Sequence, residues 1–323
     1  MKKIRFLAGM LVSAGFLYLV FRKADPAEML RIITSTRVVY LLLVIPELLA
    51  AFLVKSYRWK SMFTEYRNIP VSDFFEAAGL GVMSNNLLPF RIGDLIQMFF
   101  LGYKSGLRKA VILPTLVLER LCDLFAMGAV LLAGSFFVLL PAGLSKGRLY
   151  ILMAAIAGTV LLLVLFRKRI TGIAGSMLPA GKTRDRVLRI IDDFYAGLKS
   201  INDPLVILKI LFLTVVLWVL SGLGMYLCML SVGIKLNAII ALFLMAMTGL
   251  SALIPSSPGS IGPLEFVLTA GLSIFGIDQN YAVSFALVYR LMSWLPQVLL
   301  GLSILARNKF TVGGITRSGR EYA

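Results

Sequence analysis

Residues Ser84–Asp94 read SNNLLPFRIGD and interrupt an otherwise apolar part of the chain. The apolar segments that meet there, Phe74–Leu88 and Leu95–Leu101, are each too short to cross a bilayer, which takes about 20 residues of helix. The interruption carries amides, a proline, a glycine and opposite charges. Lipid offers no hydrogen bonds to such a backbone, so it must line a cavity or be buried in protein. We interpret this stretch as the first half of a substrate site in a membrane transporter.

The composition is that of an integral membrane protein. Of the 323 residues, 59% are hydrophobic and only 15% are charged, and several apolar runs exceed the roughly 18 residues expected of a spanning helix. Lys and Arg number 33 against 16 Asp and Glu, which gives a net charge of +17. Because the basic residues flank the apolar runs, they fit cytoplasmic loops beside anionic lipid, and we expect no nucleic acid partner.

The chemistry open to this sequence is limited by its lack of histidine. A zinc site of the usual type and histidine acid–base catalysis are excluded. Cys122 and Cys228 lie alone within apolar segments, at no metal-binding spacing, so we expect both to be core residues rather than a disulfide. The sequence also contains no nucleotide-binding motif, and we predict neither a metal nor a cofactor.

The apolar pattern predicts an all-α polytopic membrane protein with about six full spans and two re-entrant helical hairpins, making eight membrane-embedded elements. The predicted spans are Met1–Phe21, Val38–Val54, Ala110–Leu140, Leu149–Phe166, Leu205–Ser231 and Tyr281–Leu305. The first run mimics a secretory signal peptide, but Arg22-Lys23 follows it instead of a cleavage site, so we expect it to be retained. Basic flanks place both termini on the cytoplasmic side of the cell inner (cytoplasmic) membrane.

A second interruption occurs at Ile254–Glu265, which reads IPSSPGSIGPLE. It lies between the apolar segment Asn237–Leu253 and the short arm Phe266–Phe275. The turns that flank this second hairpin are poor in basic residues, whereas those that flank the first are rich in them. The positive-inside bias therefore predicts that the first hairpin enters from the cytoplasm and the second from outside.

The two interruptions share a spacing to a following arginine. Asp94 precedes Arg120 by 26 residues, and Glu265 precedes Arg290 by 25. Paired, broken segments in two inverted halves indicate a transporter site near the midplane. The N-termini of such short helices favour an anionic group such as phosphate. The alternative is two ordinary helix pairs with incidental glycines and prolines.

The domain prediction follows from this repeat. Residues 1–323 are predicted to form a single membrane domain, with a first half at 1–166 and a second half at 205–323. A cytoplasmic linker, 167–204, is predicted to join them through an amphipathic helix on the inner membrane surface. The apolar positions of that helix are Val187, Ile191, Phe194 and Leu198.

Several charged residues fall within or beside the apolar segments. A charge at the bilayer centre costs at least ~2.5 kcal/mol on insertion scales, so each is expected to face protein or water and to have a partner. Glu119 and Asp123 are four residues apart on one helix face, where two acids repel unless a cation lies between them. We expect Arg91 or Arg290 to supply that cation. The alternative for each of these charges is an ion pair that only holds helices together.

The second predicted span has unusual residues at its middle and its end. Pro46-Glu47 interrupts it, as a kink that carries either a functional or a structural acid. The basic and aromatic run Lys55–Lys60 closes it and is typical of a cytoplasmic interface. Tyr57 and Trp59 are accordingly expected to be interface anchors.

Taken together, these motifs resemble a known family. In chain order they are Asn85–Pro89 with Arg91, Gly93 and Asp94; Glu119-Arg120 with Asp123; Pro255–Gly262 with Glu265; and Tyr289-Arg290. This series resembles the flippase-like transmembrane domain of bacterial lysyl-phosphatidylglycerol synthases over nearly the whole chain. Two positions depart from that pattern, since Ser260 stands where glycine is common and Asp94 where glutamate is frequent.

The resemblance implies movement of a lipid with an anionic or sugar-phosphate headgroup between leaflets, by a standalone membrane domain without the synthase domain. Arginines would bind the headgroup phosphate through their planar forks, and the asparagines and broken backbone would line the cavity. The acids would orient the arginines or bind a cationic headgroup or a proton. The candidate substrate-binding residues are Asn85, Asn86, Pro89, Arg91, Gly93, Asp94, Glu119, Arg120, Asp123, Pro258, Gly259, Gly262, Glu265 and Arg290.

Two other functions stay open at this point. One is a membrane enzyme acting on a phospholipid or polyprenyl phosphate, with Asp94, Glu119 or Asp123 as metal ligands or bases. The other is an accessory subunit that positions a lipid synthase or glycosyltransferase. The sequence does not identify the lipid, the direction of movement, the energy source or the oligomeric state.

Overall fold

The computed structural model describes residues 2–66, 68–88, 92–136, 146–165, 182–251, 254 and 257–308. The α-helices in these ranges are α1 (Lys2–Phe21), α2 (Pro26–Thr34), α3 (Val38–Ser61), α4 (Val71–Leu87), α5 (Gly93–Ser105), α6 (Lys109–Gly134), α7 (Lys146–Leu165), α8 (Lys182–Gly197), α9 (Pro204–Ser231), α10 (Ala238–Ser251), α11 (Pro263–Ile274) and α12 (Gln279–Arg307). Short 3₁₀ turns cover Lys199–Asn202 and Pro258–Ser260. The predicted all-α class is confirmed over the described residues.

Three of these helices, α3, α9 and α12, are long and apolar enough to cross a membrane. On α9 an apolar stripe recurs at intervals of three and four residues, as one face of a helix requires. Its exposed members are Leu205, Leu208, Phe212, Val215 and Val219. A stripe of this kind is suited to contact with lipid tails. The total of six spans and two re-entrant hairpins stays a prediction.

Each sequence interruption separates two helices that pack against each other. The first separates α4 from α5, and the second separates α10 from α11. The helix that follows each pair packs against the other pair, because α6 contacts α10 and α12 contacts α4. The longest contact in the fold runs between α3 and α9. This reciprocal packing interlocks the two parts of the chain, and the inverted orientation of the predicted halves stays a prediction.

The buried apolar side chains form two main clusters, one around each helix pair. Trp59, Phe74 and Phe100 belong to the cluster around α4 and α5. Phe243 and Phe285 belong to the cluster around α10 and α11. The space between the two pairs therefore lies between two packed cores, which hold the interrupted helices in place.

The amphipathic helix predicted in the linker corresponds to α8. Ile191 and Phe194 of α8, and Leu198 directly after its end, pack against the first core cluster, and α8 runs along α6. Gly197 lies so close to α6 that a Cβ there would overlap the carbonyl oxygen of Val111. A helix is therefore present in the predicted linker and packs against α6, and its location at the inner membrane surface stays a prediction.

Candidate functional site

The first interruption is closed by backbone contact between α4 and α5. The side-chain oxygen of Asn85 accepts a hydrogen bond of 2.8 Å from the N–H of Gly93, the first residue of α5. A Cβ on Gly93 would overlap the carbonyl oxygen of Gly81, so only glycine permits this approach of the two helices. Gly93 is therefore a packing residue. Pro89 and Arg91, both predicted site residues, lie outside the described residues.

The second interruption is a turn in left-handed backbone conformation. Gly259, Ser260 and Gly262 have φ angles of 69°, 54° and 94°. Glycine adopts this region without steric cost, whereas a residue with a Cβ is strained there. The strain at Ser260 explains in physical terms why glycine suits this position, where the sequence departs from the pattern it resembles.

Arg290 on α12 holds this second turn. Its Nε lies 2.5 Å from Glu265 Oε1, and its Nη atoms donate to the carbonyl oxygens of Gly259 and Ser260. Glu265 Oε2 in turn accepts a hydrogen bond of 2.7 Å from the N–H of Gly262 at the start of α11. The side chains of Arg290 and Glu265 are only 17% and 3% exposed. The sequence spacing suggested this ion pair, and both of its side chains hold the backbone of the turn in place.

The equivalent pair in the first half is more open. Arg120 on α6 donates from Nε to Asp94 Oδ2 at 3.1 Å, and from Nη2 to Asp94 Oδ1. Its side chain is 49% exposed, and that of Asp94 is 38% exposed. Because both side chains are partly exposed, this pair is accessible to another partner.

A buried charge network lies beside this pair and corrects one prediction. The described cation between Glu119 and Asp123 is Arg58 of α3 rather than Arg290, and the other candidate, Arg91, lies outside the described residues. Arg58 donates to Asp123 Oδ1 at 2.6 Å and to Glu119 Oε1 at 3.1 Å, and its side chain is 0% exposed. Arg290 is not available for this role because its guanidinium is bound to the second turn.

Lys55, one turn before Arg58 on α3, completes the network by pairing with Glu119. Sequence reasoning missed both basic residues because it placed the run Lys55–Lys60 at the membrane interface. Trp59 is also fully buried and donates to Thr115 Oγ1 at 2.9 Å, so its prediction as an interface anchor was wrong. The spacing could have indicated this network. Lys55 and Arg58 are three residues apart and share one face of α3, as the two acids, four residues apart, share one face of α6.

The two interruptions lie next to each other. The side-chain amide of Asn86 donates to Gln297 Oε1 of α12 at 3.0 Å, and Trp294 Nε1 donates to the Asn86 carbonyl oxygen at 3.5 Å. A Cβ placed on Gly259 would be 3.4 Å from that same carbonyl oxygen. The end of α4 and the second turn are thus joined through α12.

These elements surround one cavity of about 1290 Å³. The predicted site residues that line it are Asn85, Asn86, Asp94, Arg120, Asp123, Pro258 and Gly259. Other described predicted residues support the lining from behind, namely Gly93, Glu119, Gly262, Glu265 and Arg290. Glu47 and Lys55 of α3 also line the cavity, and the remaining wall is largely apolar.

The helix α1 adds a contact that no sequence motif indicated. Ser13 Oγ donates to Ser257 Oγ at 2.9 Å and accepts from the Ser257 N–H at 3.0 Å. A Cβ on Gly262 would be 3.1 Å from the Cα of Ser13. Thus α1 contacts the second turn directly and supports it.

The acids proposed as alternative metal ligands are occupied by cations. Asp94 pairs with Arg120, and Glu119 and Asp123 pair with Arg58. Within the part of the chain that the structure describes, no group of three or more His, Cys, Asp or Glu side chains is placed to hold a metal ion. The enzyme alternative gains no support from these residues.

The fold and site define a helical membrane protein in which two interrupted helix pairs border a cavity with charged and apolar walls. The chain belongs to the family described as the lysylphosphatidylglycerol synthase TM region, whose sequence model matches residues 6–301. It is 27% identical over 221 residues to the UPF0104 membrane protein MJ1078 of Methanocaldococcus jannaschii, covering 67% of this chain and 90% of that one. It is 22% identical over 313 residues to MJ1595, another UPF0104 membrane protein of the same organism, covering 90% and 91%. These similarities and the apolar helices make it a multi-pass membrane protein.

Proposed function

We propose that this protein moves a lipid with an anionic or glycosylated, phosphate-containing headgroup between the leaflets of the cytoplasmic membrane. The observation that carries the proposal is the meeting of the two interruptions at one cavity that combines charged and apolar walls. Ligand cavities are commonly ~300–1000 Å³. A volume of about 1290 Å³ therefore accommodates a phospholipid or polyprenyl-phosphate headgroup.

Arg120 is the residue best suited to receive the headgroup phosphate. Its planar guanidinium offers two parallel hydrogen bonds to carboxylate or phosphate alike. Its pairing with Asp94 is half-exposed, and ion pairs of that kind are worth only about 0–1 kcal/mol. A phosphate can thus replace Asp94 and later be replaced by it at little cost, as a transporter that must release its cargo requires.

The buried network of Arg58, Glu119 and Asp123 has a different part in this proposal. Breaking a buried pair costs about 3–5 kcal/mol, so these residues hold α3 and α6 together and do not exchange partners during transport. The exposed part of Asp123 forms part of the same cavity wall as Arg120. The proposal also has both termini in the cytoplasm and a lipid synthase or glycosyltransferase as the partner that supplies the lipid.

Lipid exchange in reconstituted vesicles tests the proposal. Purified protein is placed in phosphatidylethanolamine–phosphatidylglycerol vesicles that contain short-chain fluorescent phosphatidylglycerol, and the outer-leaflet probe is extracted with albumin. We expect wild-type protein to exchange the probe faster than protein-free vesicles do. Loss of one charged hydrogen-bond partner is worth about 1.5–3 kcal/mol, so Arg120→Gln is expected to slow exchange about 10- to 100-fold.

Arg108→Gln is the matched control, because Arg108 also pairs with an aspartate, Asp193, but outside the cavity. Its exchange rate is expected to stay within about twofold of wild type, as for other exposed ion pairs. Equal rates for wild-type and protein-free vesicles would refute translocation of this anionic probe. Equal losses for the Arg120 and Arg108 variants would remove Arg120 from the headgroup site.

A further inference from the structure

Glu47 is a carboxyl group in the cavity that the lipid-binding residues do not account for. It follows Pro46 in the middle of the membrane-spanning helix α3 and lines the cavity. Among the described residues it has no hydrogen-bond or ion-pair partner. Asp94 and Asp123, which also line the cavity, are each held by an arginine. Glu47 therefore differs from the other acids in the cavity wall.

The charges around the cavity balance without Glu47. In the described part of the chain, the acids Asp94, Glu119 and Asp123 stand against Lys55, Arg58 and Arg120. Ionised Glu47 leaves one excess negative charge, which repels an anionic headgroup that enters the same cavity. Protonated Glu47 leaves these groups neutral overall. The binding of an anion and the binding of a proton at Glu47 consequently favour each other.

The fold makes room for this carboxyl group. On α9, Gly224 faces Glu47, and a Cβ there would be 2.9 Å from the Glu47 carboxyl carbon and still closer to one of its oxygens. The adjacent wall includes the apolar residues Val44, Leu48 and Met225. An unpaired carboxylate against such a wall is costly, and taking up a proton removes the cost.

The other described ionisable groups near Glu47 do not compete with it for a proton. Cys228 of α9 and Tyr289 of α12 are its ionisable neighbours, and both types of side chain are normally neutral there. The part of α4 that lines the cavity contributes amides and apolar side chains. On α3 itself, Lys55 is eight residues further along, a rise of about 12 Å, and is paired with Glu119.

We propose that Glu47 binds a proton that crosses the membrane together with the lipid, so that a proton gradient drives lipid movement. The coupling rests on the proposed lipid translocation, whereas proton binding at Glu47 does not. The proton joins the Glu47 carboxylate on the acidic side while the anionic headgroup occupies the cavity. It leaves on the alkaline side when the headgroup leaves. This cycle is symport and supplies an energy source without a nucleotide.

Infrared difference spectroscopy of the protein in vesicles tests the proton site directly. As the pH is lowered through the neutral range, the wild-type protein is expected to gain the C=O absorption of a protonated carboxyl group, and Glu47→Gln is expected to lack that gain. Glu28→Gln is the matched control, because Glu28 lies on α2 outside the cavity, and it should behave as wild type. An absorption gain that persists unchanged in Glu47→Gln overturns the proposal.

The steady-state distribution of fluorescent phosphatidylglycerol tests the coupling. Vesicles carry a gradient of one pH unit, with the membrane potential clamped by potassium and valinomycin. For one proton per lipid, the wild-type protein is expected to enrich the probe about tenfold in the leaflet facing the alkaline side. Glu47→Gln should give a ratio near one in vesicles where exchange without a gradient is still measurable. Glu47→Asp, which keeps the carboxyl group, should retain enrichment.

The outcomes separate the two proposals. Lipid exchange without enrichment, or enrichment on the acidic side, overturns symport and leaves translocation standing. A Glu47-dependent carboxyl absorption without any lipid exchange by the wild-type protein refutes translocation and the coupling, but supports the proton site. Monodisperse elution of each variant from size-exclusion chromatography shows that it is folded before either measurement.

Discussion

The two interruptions have similar sequences of motifs but are held by different physical means. The first is closed by backbone proximity between Gly81 and Gly93, and its ion pair, Arg120–Asp94, faces the cavity. The second is closed by a side chain, since Arg290 joins Glu265 to the carbonyl groups of its turn. Nearly equal spacing along the chain, 26 and 25 residues, has therefore produced one half-exposed pair and one largely buried pair.

This difference shows why intramembrane arginines cannot all be counted as substrate ligands. A guanidinium that is 17% exposed and bound to three protein groups loses those bonds if it turns towards a phosphate. One that is 49% exposed and bound, among the described residues, to a single carboxylate exchanges it with little loss. In the proposed function, the headgroup is therefore bound by the first half, and the second half provides the rigid frame.

The largest expected effect is on the second pair. Arg290→Ala leaves the Glu265 carboxylate without its cation and frees the carbonyl groups of Gly259 and Ser260, for a loss of about 3–5 kcal/mol. We expect a strongly lowered apparent midpoint of thermal unfolding in detergent, followed by fluorescence-detected size-exclusion chromatography. Arg290→Lys should fall between wild type and Arg290→Ala. A midpoint for Arg290→Ala equal to that of wild type would contradict the fixed role of this residue.

A smaller loss is expected where backbone contact closes the first interruption. Gly93→Ala places a methyl group against the carbonyl oxygen of Gly81, and overpacking of this kind costs about 1–3 kcal/mol. The control is Gly147→Ala on α7, where no described atom lies within 4 Å of the new methyl group. The same thermal measurement should show a lowered midpoint for Gly93→Ala alone. Similar midpoints for the two variants would show that the α4–α5 contact tolerates separation.

The first ion pair is expected to contribute little to stability. Arg120→Ala removes a half-exposed pair worth about 0–1 kcal/mol, so the unfolding midpoint should stay close to that of wild type. Its effect should appear in lipid exchange instead, as described for Arg120→Gln. A midpoint lowered as far as that of Arg290→Ala would erase the distinction between the two halves.

The smallest effect is expected at Ser260. Its φ of 54° strains a residue with a Cβ by about 1–2 kcal/mol, and the added backbone entropy of glycine in the unfolded state offsets about 0.5–1 kcal/mol of the relief. Ser260→Gly should therefore leave the midpoint unchanged or raise it slightly, with no loss of lipid exchange. A clear decrease would mean that the serine side chain contributes more than its backbone strain costs.

The pairings within each half were accessible from the sequence. One short helix and one turn separate Asp94 from Arg120, and likewise Glu265 from Arg290. A short connection of this kind brings the acid and the base close together in most arrangements of the two helices. The partner of Glu119 and Asp123 was not accessible. Arg58 is 61 and 65 residues away, on a helix that reaches them only through tertiary packing.

The sequence also does not distinguish the buried basic and aromatic residues from the exposed ones. The run Lys55–Lys60 reads as an interface belt, yet Arg58 and Trp59 point into protein while Tyr57 is exposed. Which face of α3 is buried depends on how that helix is rotated against α6 and α9. The mixed polarity of the run Lys55–Lys60 does not determine this rotation. The same holds for Glu47. Only the packing of α3 against α9 places Gly224, which has no side chain, beside its carboxyl group.

The sequence by itself determined that this is a helical membrane protein of the lysylphosphatidylglycerol synthase TM family, with two interruptions each followed by an arginine. Composition, local periodicity and short-range spacing carry that information, because the cost of polar groups in lipid acts on each segment separately. Only the tertiary structure decided that the interruptions meet at one cavity, that Arg120 faces it and that Arg290 does not. Those outcomes depend on how distant helices pack, since packing selects which charges stay buried and which remain free to bind.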